Sequence, residues 1–207
     1  MNDMSKSKLA SVCVYCGSSH GTDPMYEAAA TRLGQILAEE NLRLVYGGGS
    51  VGLMGTVARA TLEAGGTVTG IIPRFLEKRE VMLTTLEDLI VTEDMHERKL
   101  LMFQRSDAFI ALPGGIGTLE EAVEMMTWAQ LGQHKKPVLL ADIGGFWSPL
   151  LELLDHMRGQ GFIRPETEVP YLVAKRVEDA VPMLREALRG LPAPRVDSED
   201  LATLKQF

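Results

Sequence analysis

Residues 111–121, ALPGGIGTLEE, combine two features with opposite electrostatic requirements. A glycine-rich turn that enters a helix binds anions through backbone N–H groups and the helix dipole, yet Glu120 and Glu121 place two carboxylates there. One interpretation is structural, because Thr118 and Glu121 have the spacing of a capping box. The other is chemical, because a carboxylate beside a bound sugar phosphate can stabilise positive charge at an anomeric carbon or handle a proton. Glu120, about 100° around the helix from Glu121, is expected to face solvent or hold a ligand hydroxyl.

A second segment, residues 93–103 with the sequence EDMHERKLLMF, offers cations for such a site. Asp94 and Glu97 can cap a helix start, and Arg98 and Lys99 follow about one turn later. Basic residues gain nothing from the helix dipole at that position. They are either ordinary surface charges paired with nearby acids, or Arg98 serves an anion or a leaving group at the rim of a crevice. The pattern leaves both interpretations open.

Glycine- or serine-rich loops follow three predicted strands, at residues 16–19, 47–55 and 113–118. Small residues let the backbone approach a ligand and present N–H groups to it, although they also suit tight strand-to-helix turns. The chain lacks the Gly-Lys-Ser/Thr of a triphosphate-binding loop, and its 47–55 loop follows the second strand, whereas a dinucleotide fingerprint follows the first. The three loops together indicate a nucleotide-like monophosphate ligand. The candidate ligand contacts in them are Ser18, Gly48, Gly49 and Gly114.

Short β-rich segments alternate with longer helical patterns along the chain. Runs such as AFIAL and PVLLA indicate strands of a buried parallel sheet. The sequence therefore predicts a single-domain α/β fold with a Rossmann-like, doubly wound sheet, and ligands at the carboxyl ends of its strands. The predicted strands are 10–15, 42–46, 67–72, 88–91, 108–112, 137–141 and 171–173. The predicted helices are 24–41, 53–64, 95–105, 119–131, 149–159 and 177–189.

Length and composition set the class of protein. The 207 residues suit one domain, which we expect to span residues 10–190, between a flexible N-terminus (1–9) and a C-terminal tail (191–207). The formal net charge of −7 and the lack of a Lys/Arg block argue against nucleic-acid and membrane-surface partners. No apolar run approaches the roughly 18 residues of a membrane span, and the start has no secretory signal. We expect a cytoplasmic protein.

The cysteines, Cys13 and Cys16, lie in and just after a predicted strand. A redox C-x-x-C motif places its first thiol at a helix N-terminus, and a zinc site needs a second pair of ligands. Buried structural thiols and no metal are therefore expected.

The predicted helix 119–131 is apolar over a wide arc of about 220°. One side could face the sheet and another a partner subunit, so a symmetric homodimer is expected. The alternative is a helix buried by neighbours of its own chain. The residues of the arc are Ala122, Val123, Met125, Met126, Trp128 and Ala129.

The segment PGGIGTLEE matches the signature P-G-G-x-G-T-x-x-E, and the chain resembles the Lonely Guy family of cytokinin-activating phosphoribohydrolases on that ground. CVYCGSS, VYGGGSVGLMG, GIIP, DMHERK and MTWAQLG extend the match in the family's order. The resemblance implies a Rossmann-like dimer that hydrolyses the N-glycosidic bond of AMP or of N6-modified adenosine 5′-monophosphates, releasing free base and ribose 5-phosphate. A non-catalytic carrier of a nucleotide or cofactor with the same fold is the alternative.

The resemblance also implies roles for particular residues. The family's catalytic pair falls on Arg98 and Glu121. The 115–118 backbone and hydroxyl are then expected to bind phosphate, Glu121 to face the ribose, and Arg98 to assist the phosphate or the departing purine. Neither a metal nor a cofactor is implied. The family's older label, lysine decarboxylase, would require a Schiff-base lysine, and the sequence offers no good candidate for one. The implied substrate contacts are Glu80, Lys99, Gly115, Ile116, Gly117, Thr118, Leu119, Glu120 and Thr127.

Overall fold

The structure is a computed structural model that describes residues 9–76 and 88–189. One sheet of seven strands has the order β4-β3-β2-β1-β5-β6-β7, and every pairing is parallel. The predicted doubly wound α/β fold is confirmed. The strands are β1 (Ser11–Tyr15), β2 (Arg43–Tyr46), β3 (Val68–Pro73), β4 (Asp88–Thr92), β5 (Ala108–Ala111), β6 (Val138–Ala141) and β7 (Leu172–Ala174). The main helices are α1 (Pro24–Glu39), α2 (Gly52–Glu63), α3 (Met95–Gln104), α4 (Ile116–Gln130), α5 (Ser148–Gly159) and α6 (Ala180–Arg189).

The strand order reverses at β1, which lies between β2 and β5. Ligand crevices of open α/β sheets form at such a reversal, outside the carboxyl ends of the strands. Here Tyr15 and Ala111 are register partners at those ends, and the N–H of Leu112 donates to Tyr15 O at 2.9 Å. The loops after β1 and β5 therefore leave the sheet side by side.

Helix α3 has an unusual path that matters for the site. It connects β4, at one edge of the sheet, to β5, on the far side of β1. It must therefore cross the face of β3, β2 and β1. Its side chains can reach the ends of those strands and also α4, which follows β5.

Alternate residues of the strands enter two apolar layers. In β1, Val12 and Val14 join the layer formed with α1, α2 and α6, whereas Cys13 and Tyr15 join the layer formed with α3, α4 and α5. Cys13 and Cys16 are free and buried, as predicted, and burial raises the pKa of both thiols well above the usual range. They are poorly reactive at neutral pH.

The predicted boundaries hold to within a few residues for most elements. Residues 177–189 are divided into a 3₁₀ turn, Val177–Asp179, and α6. The proposed flexible N-terminus and C-terminal tail lie almost entirely outside the described residues, so the domain limits stay a prediction. Within the described ranges, no helix has the length and apolar character needed to cross a membrane.

Candidate active site

The three glycine-rich loops meet at the carboxyl edge of the sheet. The N–H of Gly17, after β1, donates to Pro113 O at 3.1 Å, and Gly17 O accepts from the N–H of Met54 at 3.3 Å. A Cβ atom on Gly114 would lie 2.8 Å from Gly17 N, and one on Gly52 would lie 2.3 Å from the carbonyl carbon of Ser18. Side chains at these glycines would force the loops apart, so the glycines allow the loops to form one crevice.

Helix α4 begins at Ile116, with Gly115 as its N-cap in an extended conformation (φ −87°, ψ −160°), and no side chain of the described residues caps it. Thr118 and Glu121 are thus the third and sixth helical residues, and the capping-box interpretation is wrong. Thr118 instead packs against the preceding loop, because a Cβ on Gly114 would lie 2.2 Å from its Oγ1. The glycines raise the cost of starting a helix here, but the fixed loop geometry begins it three residues before the predicted start.

The first turn of α4 is open to solvent. Gly115, Ile116 and Gly117 are exposed, and a Cβ atom on either glycine would meet no atom of residues 9–76 or 88–189 within 4 Å. Thr118, in contrast, is buried. The N–H groups of a first helical turn lack intrahelical acceptors and carry the positive end of the dipole. This turn can therefore accept an anion such as a phosphate without a rearrangement of side chains.

Arg98 is a buried cation on α3, with 6% of the residue exposed. Its Nε donates to Ile71 O at 3.1 Å, its Nη1 donates to Met95 Sδ at 3.2 Å, and Nη1 lies 3.4 Å from Glu121 Oε1. Asp94 sets the start of the helix by accepting from Glu97 N at 2.8 Å. The surface-charge interpretation of Arg98 is wrong, because α3 crosses the sheet and carries the guanidinium to the crevice.

Lys99, on α3, contacts two carboxylates on the surface of α4. Its Nζ lies 2.7 Å from Glu120 Oε1 and 2.8 Å from Glu124 Oε1. Partial burial lowers the pKa of Lys99, but the hydrogen bonds to the two carboxylates outweigh that effect and raise it above its usual value. Lys99 is therefore a firmly protonated amine. Glu120 is 55% exposed at its side chain, as expected, whereas the Glu121 side chain is only 14% exposed.

Glu124 was missed by the sequence analysis. It lies four residues after Glu120 and three after Glu121, which places all three side chains on neighbouring parts of the helix surface. That spacing was the available signal. Its Oε2 atom is buried and has no hydrogen-bond partner among the described residues, whereas Lys99 Nζ donates to its Oε1.

Asp142, at the end of β6, supports the crevice from the other side. It accepts from Trp147 N at 2.6 Å, from Ser148 Oγ at 3.1 Å and from Lys175 Nζ. Burial raises its pKa, but these hydrogen bonds outweigh burial and lower it below the usual value. The Trp147 Nε1–H donates to the carbonyl oxygen of Ala111, the last residue of β5, at 3.1 Å. The turn held by Asp142 thus fixes the strand end from which the α4 loop departs.

Comparison with known proteins assigns the chain to a family. A family model described as "Possible lysine decarboxylase" matches residues 54–184. The chain is 49% identical over 179 residues to the cytokinin riboside 5′-monophosphate phosphoribohydrolase LOG5 of Arabidopsis thaliana, covering 86% of this chain and 78% of that protein. It is 47% identical over 181 residues to the probable enzyme of the same kind, LOGL2, of Oryza sativa, covering 87% and 74% respectively. The chain belongs to the Lonely Guy family.

Solved structures with more distant sequences share the fold of this Lonely Guy protein. The molybdenum cofactor carrier protein of Chlamydomonas reinhardtii superposes with a TM-score of 0.65 at 22% identity, over 87% of this chain and 99% of that one. The molybdenum cofactor binding protein of Rippkaea orientalis gives 0.64 at 23% identity, over 87% and 98%. At such identities the likeness establishes the fold alone, because function depends on the site.

The loop residues expected to contact a ligand differ in exposure. Ser18 is exposed beside Gly52, whereas Gly48 and Gly49 are buried at the end of β2. Gly48 has a φ of +79°, a conformation that L-residues with side chains rarely adopt. Its role in the fold is a backbone turn, and a contact with ligand stays a prediction.

The remaining residues implied by the Lonely Guy resemblance are only partly brought together. Leu119 is half-buried and packs in a small apolar cluster with Trp147. Thr127 is exposed two turns along α4 from Glu120, and its hydroxyl donates to Val123 O at 2.8 Å. No described contact joins Thr127 to Arg98 or Glu121. Glu80 lies outside the described residues.

Proposed function

We propose that this protein hydrolyses the N-glycosidic bond of adenosine 5′-monophosphates, including N6-modified ones, to give free base and ribose 5-phosphate. The observation that carries the proposal is the ion pair of buried Arg98 and half-buried Glu121, 3.4 Å apart, beside the open glycine-rich start of α4. A site for simple anion capture has no use for a carboxylate in that position. The names of relatives that are 46–49% identical support the same chemistry.

The phosphate of the substrate is proposed to bind at residues 115–118. The open N–H groups of the first turn would donate to its oxygens, and the dipole of α4 favours its charge. The Thr118 hydroxyl supplies one further donor at the floor of the turn. A phosphate held there places the attached ribose near the next turn of α4, which carries Glu121.

In the bond-breaking step, the C1′–N9 bond cleaves and its electron pair leaves with the purine. The ribose then carries oxocarbenium-like positive charge, which the Glu121 carboxylate stabilises. A water oxygen bonds to C1′, and its released proton is taken up by Glu121 or by the departing base. Arg98, whose Nη1 lies 3.4 Å from Oε1 of Glu121, orients the carboxylate, so charge stabilisation does not wait for a side-chain movement.

A carrier function is the competing proposal, because the fold also serves cofactor-carrying proteins. Incubation of the protein with AMP and with isopentenyladenosine monophosphate, followed by chromatography of free base and assay of ribose 5-phosphate, separates the two. We expect stoichiometric release of base and sugar phosphate from at least one substrate. Measurable binding of both nucleotides with release of neither would favour the carrier.

Lysine decarboxylation fits the described residues poorly. Such chemistry needs an amine that can be neutral and reach a carbonyl. Lys99, at the crevice, is held as a cation by two carboxylates. Lys136 lies just before the start of β6, at the amino ends of the strands and away from the crevice, and its Nζ donates to Phe103 O at 2.7 Å. We expect no amine release from lysine, as measured by chromatography.

We also propose that the protein is a homodimer that contacts its partner through α4. Ala122, Met125 and Met126 are buried within the chain, which accounts for part of the apolar arc. Val123 is 38% exposed and Leu131, directly after the helix, is 67% exposed. Light scattering should give a dimer mass for the native chain and a monomer mass for Val123→Asp/Leu131→Asp. A monomeric native protein would contradict the proposal.

A cytoplasmic location without nucleic-acid or membrane partners completes the proposal. The net charge of −7 supports it, because an acidic chain is repelled by anionic polymers and surfaces. Retention on a nucleic-acid column at physiological salt would contradict it.

A further inference from the structure

Gly47, the first residue after β2, is buried against the guanidinium of Arg98. A Cβ atom built on Gly47 would lie 2.1 Å from Arg98 Nη2 and 3.3 Å from Arg98 Cζ. The shorter of these distances is far below any real contact between a carbon and a nitrogen. Any residue other than glycine at position 47 would displace the guanidinium.

The backbone does not require glycine at this position. Gly47 is outside the left-handed region, whereas its neighbour Gly48 has a φ of +79°. The other close neighbour of a Cβ at position 47 is Met54 Sδ at 3.3 Å, part of a flexible side chain that can shift. The guanidinium of Arg98 is therefore the specific obstacle to a side chain at residue 47.

The guanidinium has little freedom to move away. Its Nε is bonded to Ile71 O, its Nη1 contacts Met95 Sδ and Glu121 Oε1, and only 6% of Arg98 is exposed. A displacement that opens room at Gly47 must lengthen one of these contacts. Glu121, at 3.4 Å, has the longest of them.

We propose that Gly47 is a positioning residue, which holds the Arg98 guanidinium beside Glu121 by leaving a gap that only hydrogen fits. Its effect on catalysis rests on the proposed function. Its effect on the Arg98 contact does not.

A double-mutant cycle tests this inference with four proteins: the native chain, Gly47→Ala, Arg98→Met and the double variant. Gly47→Ala should lower kcat by roughly a hundredfold, the cost of misplacing a catalytic group by about 1 Å. KM should change much less, because phosphate is bound at α4. In the Arg98→Met background, the alanine should have no further effect on either rate or Tm. Gly159→Ala is the matched control, because its Cβ would meet no atom of the described residues within 4 Å.

If Gly47→Ala lowers the rate and Tm equally in the native and Arg98→Met backgrounds, Gly47 is needed for folding alone and the inference is overturned. A native rate for the single variant Gly47→Ala would also overturn it. If Gly47→Ala does not fold, the inference requires that the double variant folds as well as Arg98→Met. If the native chain releases no base, the proposed function fails by itself, and the cycle in Tm still decides whether Gly47 and Arg98 are coupled.

Discussion

Glu121→Gln is the change that tests the proposed chemistry most directly. Glutamine keeps the size of the side chain and one acceptor oxygen, but it removes the negative charge that lies 3.4 Å from Arg98 Nη1. The Glu121 side chain is 14% exposed and that of Arg98 is 8% exposed, so solvent screens this charge weakly. The substitution therefore removes a preorganised charge from a largely dry site.

The expected loss follows from the charge that develops on the sugar. Two unit charges about 4 Å apart interact by about 4 kcal/mol at an effective dielectric constant near 20. A loss of that size in the transition state lowers kcat by roughly a thousandfold. The ribose of the bound substrate is neutral, so the same carboxylate contributes little to ground-state binding, and KM should stay within a fewfold range.

Base release from AMP or isopentenyladenosine monophosphate, followed at saturating substrate, provides kcat, and titration with ribose 5-phosphate checks that the phosphate site is intact. Tm must be measured beside the rate, because the variant leaves the Arg98 charge unpaired. Glu39→Gln is the matched control, since Glu39 is 56% exposed at its side chain, pairs with Arg32 and is the last residue of α1; its rate should not change. Equal rates for the native enzyme and Glu121→Gln, or an equal loss in Glu39→Gln, would refute the assigned role.

Three further predictions concern stability. Burial lowers the pKa of His134 from 6.5 to about 4, and its ring is satisfied only when neutral, with Nε2–H donating to Met125 O at 2.9 Å and Nδ1 accepting from Lys136 N at 3.1 Å. The unfolded chain takes up the proton first, so stability should fall by up to ~3 kcal/mol between pH 6.5 and 4, and urea unfolding of His134→Gln should show a smaller loss. Burial also lowers the pKa of Lys136 from 10.5 to about 8. The free energy of unfolding should therefore rise between pH 8 and 10.5, because the folded chain releases this proton before the unfolded chain does. Urea unfolding of Lys136→Met should not show this rise. Gly52→Ala should lower stability by more than ~1 kcal/mol in thermal unfolding, because φ is +59° and the new Cβ would lie 2.3 Å from the Ser18 carbonyl carbon, whereas Gly159→Ala should be neutral.

The fold was predictable because its signals are local and repeated. Continuous apolar runs such as residues 108–112 and 137–141 are typical of strands that a parallel sheet buries on both faces. Helical periodicity between them supplies the crossovers. The predicted start of α4 was wrong. Intrinsic helix propensity favours a later start, but the close approach of Gly114 to Gly17 and Thr118 fixes an earlier one.

The contact at the centre of the candidate site was not predictable from local pattern. Arg98 and Glu121 belong to helices whose preceding strands, β4 and β5, are separated by three other strands. Only the crossing path of α3 brings the two residues together, and nothing in the residues near Arg98 specifies that path. The resemblance at DMHERK and PGGIGTLEE named the pair without a geometric reason. Glu124 was missed because neither the resemblance nor the three loops include it.

The charges along α4 explain how an anion site can contain acidic residues. Glu121 is matched by Arg98, and Glu120 and Glu124 share Lys99, so each carboxylate at the start of this helix faces a cation from α3. This pairing reduces the repulsion between the three carboxylates and a bound phosphate. The N–H groups of the first turn have no intrahelical acceptors and remain available to donate to the phosphate. Arg98 and Lys99 need not bind the phosphate to make its binding favourable. Under the proposed function, this division of charge leaves Glu121 beside the sugar, where cleavage creates a positive charge.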